Sequence, residues 1–320
     1  MKVKPLEITS HDFDAIQLRN LDRYKSIVDD WPLMMDYLKR PLMKTGWLNP
    51  LKTSFSSFRA SDWLDPEDYT RIAWRPNGLK FKKGSKIGKS LAYDLGLLHI
   101  QEEASMLPVH VLEPCPGERV LDFCAAPGNK TAEIAVRMDN TGTLVANDIE
   151  PMRLRGLKIT ANRLGLLNLV TTVRDGRDFQ GSTDYFDRVL VDAPCSCEGT
   201  LRKNPTVLNH KIKPFQPFAN GLQIGLLNKA IKAAKPGGVV VYSTCTFRPE
   251  ENEAVIDSIL RKNNVELEKV AIPGFRLQPG ILEWGAQQFH PSLSLTARVW
   301  PHHNDTSGFF IARLKKRYSH

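Results

Sequence analysis

The 320-residue sequence has no apolar run long enough to cross a bilayer, which excludes a membrane-spanning helix and leaves no membrane partner to expect. Its start, Met1-Lys2-Val3-Lys4-Pro5-Leu6-Glu7, lacks the apolar stretch of a secretory signal and turns acidic too soon for a transit peptide, so a cytoplasmic chain is expected. Cysteine is scarce. The five residues make an odd count, without matched close pairs or spaced histidines, so neither a disulfide framework nor a metal site is expected. No G-x-G-x-x-G loop is present, and no internal repeat. Acid is in deficit: 35 Asp and Glu against 44 Lys and Arg leave a net charge of +9, which suits a polyanionic partner.

A hydrophobic content of 42% over this length supports one large domain with a smaller attachment. From Arg119 onward, short β-branched runs alternate with helical stretches, the signature of a parallel sheet covered by helices. Strands are expected at Arg119–Phe123, Thr143–Asn147, Val170–Arg174, Arg188–Val191 and Val239–Ser243, most of them continuously apolar as befits burial on both faces. Pro151 should open a helix through Leu154, Leu157, Ala161 and Leu164 that stops near Gly165. Pro249-Glu250-Glu251 should open another, with acid in its first turn. Val299–His302 and Phe309–Leu314 read as a closing antiparallel hairpin. Residues 1–95 read as a mixed, helix-leaning N-terminal region rich in aromatics, and residues 96–320 as the main domain. Lys80, Lys82, Lys83, Lys86 and Lys89 cluster there around Phe81 and Gly84, and Arg202-Lys203 follow further on. Both sets are either nucleic-acid contacts or solvated loops.

The strand ending at Asp122-Phe123 leads through Cys124, Ala125, Ala126, Pro127 and Gly128 toward a helix carrying Lys130, which places backbone N–H groups at the mouth of the sheet. Small residues there permit close approach of a nucleotide-type ligand. Asp148, at the end of the next strand, suits ribose hydroxyls or caps the following helix. Asp175 suits an adenine amino group or caps its own turn. A single Pro-Gly turn favours a sulfonium donor over a dinucleotide. Cys195, in Val191-Asp192-Ala193-Pro194-Cys195, and Cys245, in Tyr242-Ser243-Thr244-Cys245-Thr246, stand at two strand ends and suit thiol-based methyl transfer.

These segments, with Pro249-Glu250-Glu251-Asn252-Glu253, resemble the signature set of the Sun family of S-adenosylmethionine-dependent RNA (cytosine-5) methyltransferases. The likeness extends to Ile100–Pro108, to the closing hairpin, and to Arg23-Tyr24, Arg40-Pro41-Leu42 and Asn49–Lys52 near the start, and so covers nearly the whole chain. It implies a Rossmann-like class I methyltransferase fold: a mostly parallel twisted sheet with a closing antiparallel hairpin, plus a smaller N-terminal α+β region that binds RNA.

The resemblance further implies S-adenosylmethionine as cofactor and ribosomal RNA, ahead of transfer RNA, as partner of a monomeric enzyme. It makes Cys245 the nucleophile and Cys195 the residue assisting breakdown of the adduct. Residue chemistry alone would favour Cys195, since Pro-Cys is the nucleophile motif of DNA cytosine methyltransferases. Asp192 would contact the cytosine ring edge with Lys130 beside it, and Asp192, Lys130, Cys124 to Gly128, Asp148, Arg153 and Asp175 would surround the cofactor. Asn129 and Cys197 stand where the family usually has glycine. Cys124 and Cys115 read as small buried hydrophobes. The competing reading from another class is a catalytically dispensable RNA-binding ribosome assembly factor, which the intact pair of cysteines disfavours.

Overall fold

The computed structural model describes residues 20–60, 63–180, 183–208 and 217–318, so the Met1–Glu7 start lies outside the described residues. Four short strands, Thr45–Leu48 (β1), Tyr69–Arg71 (β2), Gly78–Phe81 (β3) and Leu98–Ile100 (β4), form an antiparallel sheet in the order β2-β3-β1-β4. Leu48, Phe58, Leu79, Phe81 and Leu98 make its core. The region expected to lean helical is therefore built around strands, and its last strand lies past residue 95. The helical signal belongs to Trp31–Lys39, capped by the Asp30 side chain, whose Met34 and Leu38 pack with Tyr24, Leu201, Phe247 and Trp300.

The main sheet follows: Arg119–Asp122 (β5), Thr143–Asp148 (β6), Leu169–Val173 (β7), Phe186–Asp192 (β8) and Ala234–Thr244 (β9) are parallel. Next come Val265–Glu268 (β10), Gln278–Pro279 (β11), the small ladder of Glu283–Trp284 (β12) with Gln287–Gln288 (β13), Ala297–Val299 (β14) and Phe309–Lys316 (β15). The order is β11-β14-β15-β9-β8-β5-β6-β7, with β10 also paired to β15 and every contact beyond β9 antiparallel. Val189, Leu190 and Val191 in β8 and Val240, Val241 and Tyr242 in β9 are fully buried, because helices cover both faces. Glu103–Leu112 and Asn129–Arg137 supply one core, and Pro217–Ala233 with Glu253–Leu260 the other.

Each expected strand of the parallel sheet forms, while the punctuation between elements differs. The helix expected from Pro151 begins at Leu154 and ends on Gly165 in the left-handed region. The one expected from Pro249 begins at Glu253, because the side chains of Glu250, Glu251 and Asn252 are engaged elsewhere. In the closing hairpin, β14 stops at Val299: Pro301 opens a one-turn helix to Asn304, and His302 is helical. Among the described residues no helix is long and apolar enough to cross a membrane.

Candidate active site

From β5 the chain moves outward through β6 and β7, then returns to lay β8 and β9 on the other flank. The C-terminal ends of β5 and β8 therefore diverge at the switch point where open α/β sheets bind ligands. Two cavities open there, of about 330 and 250 Å3, and share Cys124, Ala126, Pro127, Asp192 and Cys245 as walls. Gly128 turns the loop with φ 111°, and a Cβ on it would lie 2.9 Å from the Leu157 backbone. Asn129 needs no such freedom. It is the first residue of a helix, without a positive φ, and its Oδ1 meets His99 Nε2 at 3.1 Å.

The larger cavity is walled by the expected cofactor residues. Asp148 is 2% exposed; one carboxylate oxygen accepts the Ala126 N–H at 3.0 Å, and the other accepts the Glu150 N–H at 3.0 Å and the Arg153 guanidinium at 3.3 Å. Arg153 also donates to the Ala126 carbonyl at 3.1 Å, clamping the loop. Asp175 caps the turn at Gly176–Asp178 and holds the Arg177 guanidinium at 2.6 Å, and that contact keeps its carboxyl below the usual range. Asp175 thus caps its own turn, whereas Asp148 pins its loop and leaves the helix from Leu154 without a side-chain cap; both line the cavity.

The smaller cavity gathers Asp122, Lys130, Asp192, Cys245 and Phe309. Lys130 Nζ donates to Asp192 at 2.7 Å and to Ser105 at 3.1 Å, and lies 5.2 Å from the Phe309 ring centre. Burial pulls the ammonium down, but the Asp192 charge more than restores it, so Lys130 stays cationic. The other Asp192 oxygen accepts the Ser243 hydroxyl at 2.7 Å. Asp122 is buried behind them, with the Thr131 hydroxyl donating to its Oδ2 at 2.7 Å. Burial raises its carboxyl to about 7.

At the junction of the cavities the Cys195 and Cys245 sulfurs stand 3.5 Å apart. Contacts with Cys197 and Cys245, then burial, push the Cys195 thiol up. Contact with Cys195 favours a Cys245 thiolate, but contact with Cys197 and burial outweigh it. Cys197 adopts φ 60°, the left-handed conformation that explains why glycine suits this position. The thiol loops are fastened by a motif that sequence reasoning took for a helix start. Glu251 accepts the Ser196 N–H and the Gln223 amide, each at 3.0 Å, and Asn252 accepts the Thr244 hydroxyl at 2.6 Å. Glu253 pairs with buried Arg298 at 2.6 Å, and Arg298 in turn holds the Phe247 carbonyl at 2.9 Å. Gly199 donates its N–H to the Cys245 carbonyl at 2.9 Å and abuts Gly308 so closely that a Cβ would lie 2.3 Å from its carbonyl oxygen.

Three expectations fail. Arg202 is no surface contact: its side chain is fully buried and donates to the carbonyls of Arg40, Pro41 and Thr306 and to Asp305 at 2.6 Å. Cys115 is exposed, because it sits in the turn before β5. Lys80 is half-buried beside Glu103 at 3.3 Å, leaving Lys82, Lys83, Lys86 and Lys89 as the exposed cluster. Lys203 is exposed at the mouth of the smaller cavity. Sequence reasoning missed Ser105, Thr131 and Ser243, whose orienting roles carry no local signal, and Glu251, whose acidity suggested a helix dipole.

A family model described as 16S rRNA methyltransferase RsmB/F matches residues 109–315. The chain is 37% identical over 308 residues to the tRNA (cytosine(49)-C(5))-methyltransferase of Pyrococcus abyssi, covering 95% of this chain and 98% of that one. It is 43% identical over 249 residues to the 28S rRNA (cytosine-C(5))-methyltransferase of Mus musculus, but there spans only 31% of the relative's length. The crystal structure of a methyltransferase homologue from Pyrococcus horikoshii superimposes with a TM-score of 0.76 at 29% identity, over 95% of this chain and all of that one. On the family model and the end-to-end relative together, the chain belongs to the Sun (RsmB/F) family of RNA (cytosine-5) methyltransferases.

Proposed function

We propose that this chain transfers the methyl group of S-adenosylmethionine to carbon 5 of a cytosine in RNA, through a covalent adduct on Cys245. The observation that carries the reading is the pair of sulfurs 3.5 Å apart where two cavities meet. The cofactor supplies an electrophilic methyl on a sulfonium. The larger cavity fits it through the close backbone approach at Gly128 and the carboxylates of Asp148 and Asp175, with Arg153 holding the loop. The smaller cavity takes the base.

Carbon 5 of cytosine is too electron-poor to attack a methyl group unaided. The Cys245 thiol releases its proton to solvent and its sulfur forms a bond to carbon 6, which makes carbon 5 nucleophilic, and covalent catalysis divides one hard step into two easier ones. Asp192, held by Lys130 and Ser243, meets the polar edge of the ring. After methyl transfer, carbon 5 gives up its proton to the Cys195 sulfur acting as base, the electron pair reforms the ring double bond and the carbon–sulfur bond to Cys245 breaks. Cys195 assists this release. The complete thiol pair and its fastenings favour catalysis over a dispensable assembly role.

The N-terminal texture of the sequence resembles ribosomal RNA-modifying members more than transfer RNA enzymes, whereas the relative matched end to end is named for a transfer RNA. The proposal covers both classes, and one experiment separates them. The protein is incubated with S-adenosylmethionine and either ribosomal or transfer RNA, and the products are read by bisulfite sequencing. A cytosine newly protected in one class is the expected result; no new protection in either class contradicts the proposal.

A further inference from the structure

We propose that Cys195, Cys197 and Cys245 together form a binding site for a soft divalent cation of the zinc or cadmium type, with one coordination position left open to the larger cavity. The sulfurs of all three lie within 4.8 Å of one another, with Cys195 and Cys245 at 3.5 Å. Thiolates around a tetrahedral zinc-type ion, with bonds of about 2.3 Å, stand roughly 3.8 Å apart. The trio reaches that spacing by small adjustments. All three ligands are sulfur, which selects soft cations over magnesium or calcium.

Two features make the trio a site. Cys195 and Cys197 alternate on one loop, and the left-handed turn at Cys197, φ 60°, brings its sulfur within 3.3 Å of the Cys195 carbonyl, back toward the first thiol. The third ligand arrives from the end of the neighbouring parallel strand, and Ser196 ties the two segments together through Glu251 and through Thr246 at 2.6 Å. The ligands are thus positioned by outer contacts of the kind that support metal sites. All three thiols also line the cavity of about 330 Å3, which provides an entry path and room for a fourth ligand. This site has no counterpart in the sequence spacing, because its third ligand is fifty positions away.

The binding step involves no redox change. One divalent cation displaces three S–H protons, which pass to solvent, and three metal–sulfur bonds form with a net charge of −1 on the complex. Lys130, which interacts electrostatically with Cys245, offsets part of that charge.

The test titrates the purified full-length chain with cadmium alone. Ultraviolet sulfur-to-cadmium charge-transfer absorbance reports ligation by thiolate, and a weakly buffered solution reports proton release. The proposal expects one cadmium per chain, three protons released per ion, and competition by zinc. Cys197→Gly keeps the backbone conformation of that position, which far-ultraviolet circular dichroism verifies, and should weaken binding by more than about a hundredfold, beyond the loss expected from an outer contact. Cys115→Ser, outside the trio, should bind as the unmodified chain does. Absence of the charge-transfer band, or equal cadmium affinity in Cys197→Gly, would overturn the site. Loss of binding in Cys115→Ser would do so too. The readouts are independent of methyl transfer, so failure of the catalytic reading leaves this test intact.

Discussion

Asp122 lies behind the Lys130–Asp192 pair, and burial raises its carboxyl to about 7 against the opposing pull of the Thr131 hydroxyl, the Lys130 charge and the Cys124 N–H. Between the ordinary carboxylate value near 4 and about 7, the folded protein holds a proton that the unfolded chain has released. Stability therefore falls as pH rises through that window, and below it both states are protonated and the group contributes nothing. Asp122→Asn cannot lose that proton, so its stability relative to the unmodified chain should climb between about pH 4 and about pH 7, by up to a few kcal/mol, read from the unfolding temperatures of the two proteins. Parallel curves for the two proteins would refute the elevated carboxyl. At this scale the sequence is legible where chemistry is local, as for the thiols of Cys195 and Cys245; Lys130 and Asp192, which share the cleft with them, are implied by the family resemblance. The sequence is silent where a role depends on distant partners, as for Arg202, whose guanidinium is consumed by carbonyls more than a hundred residues away.

The thiol loops depend on Arg298, which leaves β14 to pair with Glu253 and brace the Phe247 carbonyl. Both partners are buried, at 2% and 0% exposure, so removing one strands a charge in low dielectric. Arg298→Ala should cost about 3–5 kcal/mol in denaturant unfolding, and Arg298→Met with Glu253→Leu should recover most of it. A loss below about 1 kcal/mol in the single variant would show that the pair is not a brace. The parallel strands were readable because burial on both faces writes a continuous apolar run, as in Val239 to Tyr242. The N-terminal strands were not: each has only three or four residues, too few for a period to show against Trp31–Lys39. The Pro249–Asn252 segment is a turn and not a helix start because Glu251 is spent on fastening Ser196 and Asn252 on fastening Thr244.

For the whole molecule, the +9 charge becomes a spatial statement. Lys82, Lys83, Lys86 and Lys89 project from the segment after β3, while Lys203 stands at the mouth of the base cavity. If the lysine cluster touches phosphates, replacing Lys82, Lys83 and Lys86 by Ala should weaken RNA binding and flatten the dependence of log affinity on log salt by about 0.7 to 0.9 per lost contact. Filter binding across a salt series decides it, and unchanged affinity and slope would make the cluster a solvated loop. The net charge was visible in composition; which lysines remain free required the fold, since Lys80 is taken up by Glu103.

In the proposed mechanism the two thiols at the cavity junction divide the labour of attack and release. The most direct measurement of that division is denaturing electrophoresis of the protein after incubation with RNA and S-adenosylmethionine. Cys195→Ala should accumulate a covalent protein–RNA complex, because attack and methyl transfer proceed while release stalls. Cys245→Ala should form none and should lose methylation by at least about a thousandfold. Cys197 is close enough to stand in for Cys195, so Cys195→Ala with Cys197→Ala is run beside them. Trapped RNA in Cys245→Ala and none in Cys195→Ala would reverse the roles. No trapping in the double variant, while the unmodified enzyme still methylates, would contradict the account.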